Sequence, residues 1–421
     1  MLKILVIGSG GREHAIAKKF LDSKKVEQVY VAKGNAGMKR DGIDLVDIAE
    51  NDHESLIKFA KKKQISWTFV GPEIPLLNGI VDDFITAGLK IFAPSKAAAM
   101  IEGSKSFAKE IMNKYNVPTA KYQTFFDFSK AKSYVKRKGV PIVIKKDGLA
   151  AGKGVVVAFT IEEALGALSD MLKKNQFGEG VSCVVVEEFL EGEEFSLLSF
   201  VKDKKIYPMV IAQDHKQAYD NDKGPNTGGM GAYSPVPQIS QEVIDEAFER
   251  IVKPVVIGME QDSASFTGIL YAGLIATKKG PKVIEFNARF GDPEAQVVLP
   301  RLTSDLGQII DDLLNDKEPV ITWREDGITL GVVITAQGYP QNCKKGMPVP
   351  TKFNDSKITP YYAGVNCDEK GELVASGGRI FLLCTTADNV KIAQKKIYDE
   401  LDKQSLDGFF YRKDIGYKAI E

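Results

Sequence analysis

The first hundred residues alternate short apolar runs with longer segments in which apolar residues recur at helical spacing. Short apolar runs favour buried strands, and a period near 3.6 favours amphipathic helices. The pattern predicts strands at residues 2–7, 29–32, 68–70 and 90–92, and helices at 12–22, 54–63 and, as one or two helices, 96–115. Strands that alternate with helices are typical of a parallel sheet with crossover helices, so an α/β region is expected here.

The next part of the chain predicts a small unit of mixed α and β structure over residues 118–194. An amphipathic helix is expected at 160–174, since its apolar residues follow the helical period. Strand-like runs occupy residues 141–145, 155–158 and 184–188. The following stretch, 195–213, is again rich in strand-forming residues.

The second half of the chain predicts a loop, a hairpin and a third structural unit. Residues 224–237 are rich in glycine and proline, which indicates a long irregular loop. A hairpin is expected from the runs 268–277 and 282–287, because a turn containing Gly and Pro joins them. The tail from residue 328 alternates strands with one helix at 389–403.

Composition narrows the class of protein. With 421 residues, the chain is long enough for several domains. Lys plus Arg equals Asp plus Glu at 56 each, so no overall charge attracts nucleic acid or an anionic membrane. The four cysteines include no C-x-x-C pair, which favours reduced thiols in a cytoplasmic protein. With three histidines, a catalytic design built on several of them is excluded.

A glycine-rich turn, GSGG at 8–11, follows the first predicted strand and precedes a helix. Backbone amides in such a turn can approach a phosphate at the positive end of the helix. A dinucleotide site would have glycine at position 13 and an acid at the end of the second strand, but Glu13 and Lys33 stand there, which argues against an oxidoreductase. The turns at 34–37 and 71–73 are expected at the same sheet edge, which favours a phosphate- or sugar-bearing ligand. The alternative is that the turn at 8–11 has only a structural role, in a tight connection between the strand and the helix, and binds no ligand.

A second glycine-rich segment, DGLAAGKG at 147–154, lies between two predicted antiparallel strands. A Walker loop needs four residues between its glycines and Ser or Thr after its lysine. Here three residues intervene and Gly154 follows Lys153, so the segment is not a Walker loop. Free amides beside lysines still suit a triphosphate. The alternative is an ordinary hairpin with solvated lysines.

The segment VIEFNAR at 283–289 supplies a third candidate. Strand alternation puts Glu285 and Asn287 on one face, with Arg289 beside them. A carboxylate and an amide present hard oxygens suited to magnesium, and an arginine can clamp a phosphate or carboxylate. A polar sheet face is the alternative for these residues alone. With a Gly-Lys segment and no Walker loop, they indicate a different way of holding ATP.

At this point the chain resembles ATP-grasp ligases and, more narrowly, the phosphoribosylamine–glycine ligases, also called glycinamide ribonucleotide synthetases. The resemblance covers nearly the whole chain. The motifs that carry it are VIGSGGREH at 6–14, GNAG at 34–37, VGPE at 70–73, EGSK at 102–105, DGLAAGKGV at 147–155, EEFLEGEE at 187–194, QDHK at 213–216, GPNTGGMGAYSP at 224–235, EFNARFGDPE at 285–294, SGGR at 376–379 and RKDIG at 412–416. GPNTGGMGAYSP and NARFGDPE in this order are the most specific.

The resemblance implies a multidomain α/β and α+β fold. An N-terminal parallel α/β domain of the pre-ATP-grasp type is expected at 1–103. A two-part ATP-grasp domain follows at 104–325, with a lid near 120–192, and a small α+β domain ends the chain at 326–421. The family's reaction joins glycine to 5-phosphoribosylamine through glycyl phosphate and gives glycinamide ribonucleotide, ADP and phosphate, a step of purine biosynthesis.

The resemblance also implies the cofactors, partners and site residues. Mg²⁺ or Mn²⁺ is the expected cofactor. The partners are small molecules, and a transient contact with the enzyme supplying phosphoribosylamine stays open. Expected ATP-binding residues are Lys105, Lys145, Gly148, Gly152, Lys153, Gly154, Glu187, Leu190 and Glu194. Expected substrate-binding residues are Gly10, Gly11, Gly71, Pro72, Glu73, Asp214, Lys216, Asn226, Thr227, Gly228, Gly229, Gly231 and Arg289. Metal ligands would be Glu285 and Asn287, and catalytic residues Arg289 and Lys145.

Two other functions compete with this interpretation. Another ATP-grasp enzyme, a carboxylase or formyltransferase acting on a purine-pathway ribonucleotide, would share the ATP site, but GPNTGGMGAYSP is not expected in it. A non-enzymatic nucleotide-binding module would have lost the carboxylate and amide of the metal site, whereas Glu285 and Asn287 are both present. The dependence of ADP release on the substrates supplied would discriminate the synthetase from the other ATP-grasp enzyme.

Overall fold

A computed structural model describes residues 1–149, 154–173 and 183–420. Its N-terminal region is a five-stranded parallel sheet with the strand order β3-β2-β1-β4-β5. The elements are β1 Leu2–Gly8, α1 Gly11–Leu21, β2 Val26–Lys33, β3 Asp44–Val46, α2 His53–Lys63, β4 Trp67–Val70, α3 Glu73–Leu77, α4 Ile80–Thr86, β5 Ile91–Phe92, α5 Lys96–Gly103 and α6 Lys105–Lys114. The predicted parallel sheet is confirmed. The pattern missed β3, a three-residue strand at the sheet edge.

The segment that follows has its own sheet and its own core. The elements are β6 Tyr122–Phe125, α7 Phe128–Lys138, β7 Ile142–Lys146, β8 Val155–Ala158, α8 Ile161–Leu172 and β9 Val184–Glu188. The four strands are antiparallel in the order β6-β9-β7-β8. Ile144, Leu168 and Val186 belong to a hydrophobic cluster separate from the rest of the core.

A second antiparallel sheet has the order β11-β10-β16-β17. The elements of this region are β10 Glu193–Lys202, β11 Lys205–Pro208, β12 Gln213–Asp214, β13 Gln217–Tyr219, β14 Lys223–Asn226, β15 Gly231–Ser234, α9 Gln241–Ala247, α10 Lys253–Gln261, β16 Thr267–Thr277, β17 Gly280–Asn287, α11 Glu294–Val298 and α12 Leu306–Leu314. The predicted hairpin is confirmed as β16 and β17.

The prediction of an irregular loop over residues 224–237 is wrong in part. Within that stretch, β14 pairs with β13, and β15 pairs with both β12 and β18. Ala232 and Tyr233 are buried, so the glycine-rich sequence still contributes a core strand. Gly231 lies where an added Cβ would come 2.6 Å from the Gly331 carbonyl oxygen, so close strand packing requires a glycine there.

The C-terminal part is built on an antiparallel sheet that includes β12 and β15 of the preceding region. Its elements are β18 Ile328–Ala336, β19 Thr359–Tyr362, β20 Val365–Cys367, β21 Leu373–Ala375, β22 Arg379–Ala387, α13 Val390–Leu401 and β23 Phe409–Phe410. The sheet order is β12-β15-β18-β22-β19, and β23 pairs with β18. The predicted helix at 389–403 is confirmed as α13, which Asn389 caps. Among the described residues, no helix is long and apolar enough to cross a membrane.

Candidate active site

The glycine-rich turn after β1 holds a carboxylate. Glu13 Oε2 accepts a hydrogen bond from the backbone nitrogen of Gly10 at 2.7 Å, and Glu13 Oε1 lies 2.5 Å from Nε of Arg12. A Cβ added at Gly71 would overlap the Glu13 side chain, so the turns after β1 and β4 meet there. Asn35 joins them, because its amide donates to the carbonyl of Ser9 at 2.8 Å. The sequence predicted this convergence of three turns but missed Arg12 and Glu13 as its centre.

Arg289 links this sheet edge to the end of β17. Its Nη2 lies 2.8 Å from Glu102 Oε1 and 3.2 Å from Asn287 Oδ1, and its Nε lies 3.5 Å from Glu73 Oε2. Burial opposes the positive charge, but the carboxylates of Glu102 and Glu73 outweigh it and hold the pKa of Arg289 above its usual value. Arg289 and Glu73 were both predicted site residues, whereas Glu102 was visible only inside the EGSK motif.

The two predicted metal ligands lie on one face of β17. Glu285 is opposite Gly273 of β16, and Asn287 is opposite Tyr271. A Cβ at Gly273 would come 3.3 Å from Cγ of Glu285, so the glycine leaves room for the carboxylate. The described residues contain no group of three or more His, Cys, Asp or Glu side chains placed to hold a metal ion. The pair therefore suits a magnesium-type ion that takes its other ligands from phosphates and water.

Two predicted ATP-binding lysines lie near Glu187, the buried acid close to the end of β9 that we call the hinge. Lys145 Nζ lies 3.2 Å from Glu187 Oε2 and donates to the carbonyl of Ile284 at 2.9 Å. Lys105 Nζ donates to the carbonyl of Gly148 at 2.8 Å. Burial is the main cause that lowers the pKa of Lys105, in part offset by Glu285. Lys105 thus lies within electrostatic reach of Glu285, one of the two predicted metal ligands.

A third lysine at this hinge was not predicted from the sequence. Lys109 Nζ lies 3.2 Å from Glu187 Oε2 and donates to Thr119 Oγ1 at 2.8 Å. Burial, opposed by Glu187, lowers the pKa of Lys109 to about 8. Its position on α6 has no motif that would single it out, because a lysine on a helix is usually solvated.

The glycine-rich segment after β7 is anchored at its start and its end. Asp147 Oδ1 accepts from the backbone nitrogen of Lys105 at 2.6 Å, at the first turn of α6. Gly148 has φ +88°, which favours glycine, and Gly154 accepts from the backbone nitrogen of Lys146 at 2.8 Å. The predicted ATP-binding residues Gly152 and Lys153 lie outside the described residues. Leu190 lies between β9 and β10, directly after the hinge.

Asp214 and Lys216 belong to a polar side-chain cluster that also contains Glu194. Lys216 Nζ lies 2.7 Å from Glu194 Oε2 and 3.8 Å from Asp214 Oδ1. Burial, together with the nearby carboxylates of Glu294 and Glu194 and against the pull of Lys216, raises the pKa of Asp214 to about 7. Tyr271 donates to Glu294 Oε1 at 2.5 Å.

The predicted substrate loop at 226–231 is held by an arginine from β22. Arg379 Nη1 donates to the carbonyls of Gly228 and Asp292, each at 2.6 Å, and Nη2 lies 2.9 Å from Asp292 Oδ2. The hydroxyl of Tyr339 accepts from the backbone nitrogen of Gly228 at 3.0 Å. A Cβ at Gly10 would lie 3.5 Å from Asp292 Oδ2, so this loop and the N-terminal turn border the same space. The SGGR and NARFGDPE motifs contained Arg379 and Asp292, but without an assigned role.

Comparisons with known proteins agree with these motifs. The family models of phosphoribosylglycinamide synthetase match the chain in three parts, the N domain at residues 2–102, the ATP-grasp (A) domain at 103–295 and the C domain at 329–418. The chain is 60% identical to the phosphoribosylamine–glycine ligase of Streptococcus pyogenes serotype M3 over 420 residues, which cover 100% of both chains. It is 59% identical to the phosphoribosylamine–glycine ligase of Lactococcus lactis subsp. lactis, again over 100% of both chains.

Solved structures give the same picture of the fold. The crystal structure of phosphoribosylamine–glycine ligase from Thermotoga maritima superposes with a TM-score of 0.85 at 30% identity, covering 99% of this chain and 100% of that one. The biotin carboxylase domain of 2-oxoglutarate carboxylase from Hydrogenobacter thermophilus has a TM-score of 0.75 at 16% identity, covering 97% of this chain and 91% of that one. At that identity, the second similarity concerns the fold alone.

Proposed function

The chain belongs to the phosphoribosylglycinamide synthetase family, and from that premise we propose that it joins glycine to 5-phosphoribosylamine in purine biosynthesis. ATP provides the driving force and leaves as ADP and phosphate. The product is glycinamide ribonucleotide. Membership rests on 60% identity over the whole chain, and the reaction is the one named for those relatives.

ATP binds between the sheet of β6 to β9 and the β16–β17 hairpin, which meet where Lys145 of β7 donates to the carbonyl of Ile284 in β17. Lys105 and Lys145 contact its phosphates, and the backbone of Glu187 and Leu190 meets the adenine edge. The 3.2 Å pair between Lys145 and Glu187 supports this, because it aligns the lysine with the hinge. Glu194 accepts from the ribose hydroxyls. Gly148, Gly152, Lys153 and Gly154 complete the phosphate-binding segment.

Glu285 and Asn287 hold the divalent ion, with Mg²⁺ or Mn²⁺ as the candidates. Both oxygens lie on one face of β17, and the neighbouring lysines balance the triphosphate charge. Bound there, the ion would neutralise charge on the β- and γ-phosphates. Few protein ligands are typical of magnesium, so the two-residue set fits it.

The two remaining substrates occupy the space between the substrate loop and the N-terminal turns. Asp214, Lys216 and the loop residues Asn226, Thr227, Gly228, Gly229 and Gly231 surround glycine and the amine of phosphoribosylamine. Gly10, Gly11, Gly71, Pro72 and Glu73 line the sugar-phosphate end. Because the Glu13 carboxylate already accepts from the Gly10 amide, a phosphate at this turn has to displace it or bind beside Arg12.

The reaction proceeds in two displacements. A carboxylate oxygen of glycine attacks the γ-phosphorus, the bond to the β-phosphate oxygen breaks, and glycyl phosphate and ADP form. The amine of phosphoribosylamine then attacks the acyl carbon, loses a proton, and phosphate leaves. Lys145 and Arg289 stabilise the charge that develops on the transferred phosphoryl group, so the site acts by positioning and electrostatics.

One observation carries the proposal. Arg289 bonds Asn287 at 3.2 Å and Glu102 at 2.8 Å, which joins the metal pair to the sheet edge that bears the sugar-binding turns. A non-enzymatic module has no need of that junction. An ATP-grasp carboxylase or formyltransferase remains the second candidate, but its similarity rests on the fold at 16% identity, against 60% for the synthetase relatives.

The wider setting follows from the same premise. We propose a cytoplasmic location, small-molecule partners and a transient contact with the enzyme supplying phosphoribosylamine. The division into domains at 1–103, 104–325 with a lid near 120–192, and 326–421 is part of the proposal. β12 and β15 join the sheet that β18 and β22 build, so unfolding the last domain should perturb the substrate loop.

The test is ADP release by purified protein with ATP, magnesium and freshly generated phosphoribosylamine, with and without glycine. Glycine-dependent release that disappears in Glu285→Ala supports the reaction and the metal site together. A wild-type protein that binds ATP but releases no ADP on addition of glycine would contradict the substrates. Replacing glycine with other small carboxylates in the same assay then distinguishes another ATP-grasp activity.

A further inference from the structure

Residues 412–418, close to the C-terminus, form a dense polar contact with the hairpin at 217–223; we call residues 412–418 the C-terminal brace. Arg412 is fully buried, lies 2.9 Å from Asp222 Oδ1 and makes two bonds to Asp414, at 2.7 and 2.8 Å. Asn221 donates its backbone N–H to Asp414 Oδ2 at 2.7 Å, and Tyr417 donates to Asp222 Oδ2 at 2.9 Å. A cluster that satisfies a buried arginine so fully holds both segments in one arrangement.

His215 connects the brace to the predicted substrate loop. Its Nε2 accepts a hydrogen bond from the backbone nitrogen of Gly416 at 2.9 Å. Its own backbone donates to the carbonyl of Gly231 at 2.9 Å and accepts from the nitrogen of Met230 at 2.8 Å. The side chain is completely buried, so no solvent can replace these bonds. His215 therefore contacts both the C-terminal brace and the end of the loop 226–231.

The ring is held in one protonation state. Because Nε2 accepts from Gly416, the proton of the neutral ring is on Nδ1, which faces Asp222 Oδ1 at 3.8 Å. Burial is the main cause that lowers the pKa of His215, opposed by Asp222 and reinforced by Arg412 and Lys418. A neutral imidazole near pH 7 keeps the acceptor that Gly416 needs.

The contact between His215 and the C-terminal brace matters because the residues next to His215 in the chain belong to the proposed substrate site. Asp214 and Lys216, both proposed substrate residues, flank it in the chain, and the backbone carbonyl of Lys216 accepts from the backbone nitrogen of Thr227 at 2.8 Å. We propose that His215 is a positioning residue, through which the C-terminal brace sets the place of Asp214, Lys216 and the loop 226–231. This rests on the proposed function for its kinetic consequence, but the geometric claim stands apart from it.

The experiment compares His215→Gln with His215→Asn. A glutamine reaches with Oε1 to the place of Nε2 and retains an acceptor for Gly416, whereas the shorter asparagine does not. We expect the asparagine variant to raise the KM for glycine about tenfold and to leave the KM for ATP within about twofold. The glutamine variant should restore most of the loss. His53→Asn, a change at a histidine that pairs with Asp83 in the N-terminal sheet region, is the matched control.

Hydrogen exchange of the segment 226–231 gives a second measurement that needs no turnover. The asparagine variant should exchange its Thr227 and Met230 amides, which donate to the backbone carbonyls of residues 216 and 215, faster than wild type, and the glutamine variant should not. Unchanged exchange and an unchanged KM in His215→Asn would overturn the proposal, as would equal rises of both KM values in both variants. If wild type shows no glycine-dependent ADP release, the proposed function fails, and the exchange comparison still decides whether His215 positions the loop.

Discussion

The carboxylate of Glu13 accepts a hydrogen bond from the backbone nitrogen of Gly10, 2.7 Å away, in the turn where the sequence predicts a phosphate site. The same carboxylate pairs with Arg12 at 2.5 Å, and both side chains are buried. The Glu13 side chain therefore satisfies the N-cap amide of α1 as the glutamate of a capping box does, although Gly10 at the N-cap has no side chain to complete the box. The finding explains why this turn has a glutamate where a dinucleotide site has glycine.

Removing the charge of Glu13 should destabilise the fold. Glu13→Gln leaves the buried guanidinium of Arg12 without its ion-pair partner, and breaking such a buried pair costs about 3 kcal/mol. The free energy of unfolding from urea titration measures the loss. Asp399→Asn, which breaks an exposed pair with Lys395, is the control and should have little effect. Equal stability of the Glu13→Gln variant and wild type would contradict the interpretation.

A methyl group at Gly71 should disrupt the same turn. An added Cβ would overlap the buried Glu13 carboxylate, so Gly71→Ala forces that side chain or the β4 turn to shift. We expect a loss of about 2 kcal/mol in the free energy of unfolding and a raised KM for phosphoribosylamine. Gly166→Ala is the control, because a Cβ there meets nothing within 4 Å, and an alanine inside α8 should add about 0.5–1 kcal/mol of stability.

Asp214 should make glycine use depend on pH near neutrality. Its pKa is raised to about 7, chiefly by burial, so the carboxylate that would pair with an amino group is ionised above that pH. We expect kcat/KM for glycine to fall as the pH is lowered through 7. The Asp214→Asn variant should be less active, and its kcat/KM should not show this fall. A wild-type profile that is flat between pH 6 and 8 would contradict the assignment.

The same group predicts the direction of stability with pH. A carboxyl whose pKa is raised by folding binds its proton more tightly in the folded state, so its stabilising contribution is full at low pH. That contribution is lost as the pH rises from about 4, the ordinary value, through about 7. Relative to Asp214→Asn, wild type should therefore lose free energy of unfolding across this window, measured by urea titration at each pH.

Arg379 should be needed to hold the substrate loop. Arg379→Lys keeps the charge but cannot reach Gly228 and both acceptors of Asp292 with one planar group. We expect the KM for glycine to rise about tenfold, equivalent to about 1.4 kcal/mol, with the KM for ATP nearly unchanged. Lys395→Arg on the exposed face of α13 is the control. Parallel rises in both KM values would indicate a general loss of structure instead.

Much of the fold could be predicted from the sequence because it follows from the local spacing of apolar residues and from helix caps. The strands and helices of the parallel sheet, the β16–β17 hairpin and α13 follow from apolar spacing and caps such as Asn389. The prediction failed at residues 224–237, where glycines suggested a loop but β15 is a buried strand. A strand paired on both sides by β12 and β18 gains its stability from partners far away in the chain, which no local pattern contains.

The sequence by itself determined the family and the candidate residues for binding ATP and a metal ion. Its motifs identified the synthetase family, which 60% identity over the whole chain confirms, and they marked the Gly-Lys segment and the Glu285–Asn287 pair. The individual site assignments remain predictions. Tertiary structure alone decided that Arg379 bonds the carbonyl of Gly228, that Lys109 pairs with Glu187, and that His215 contacts both Gly416 and the loop 226–231. These contacts join residues up to 201 positions apart, and a charge or hydrogen bond acts over ångströms of space, not along the chain.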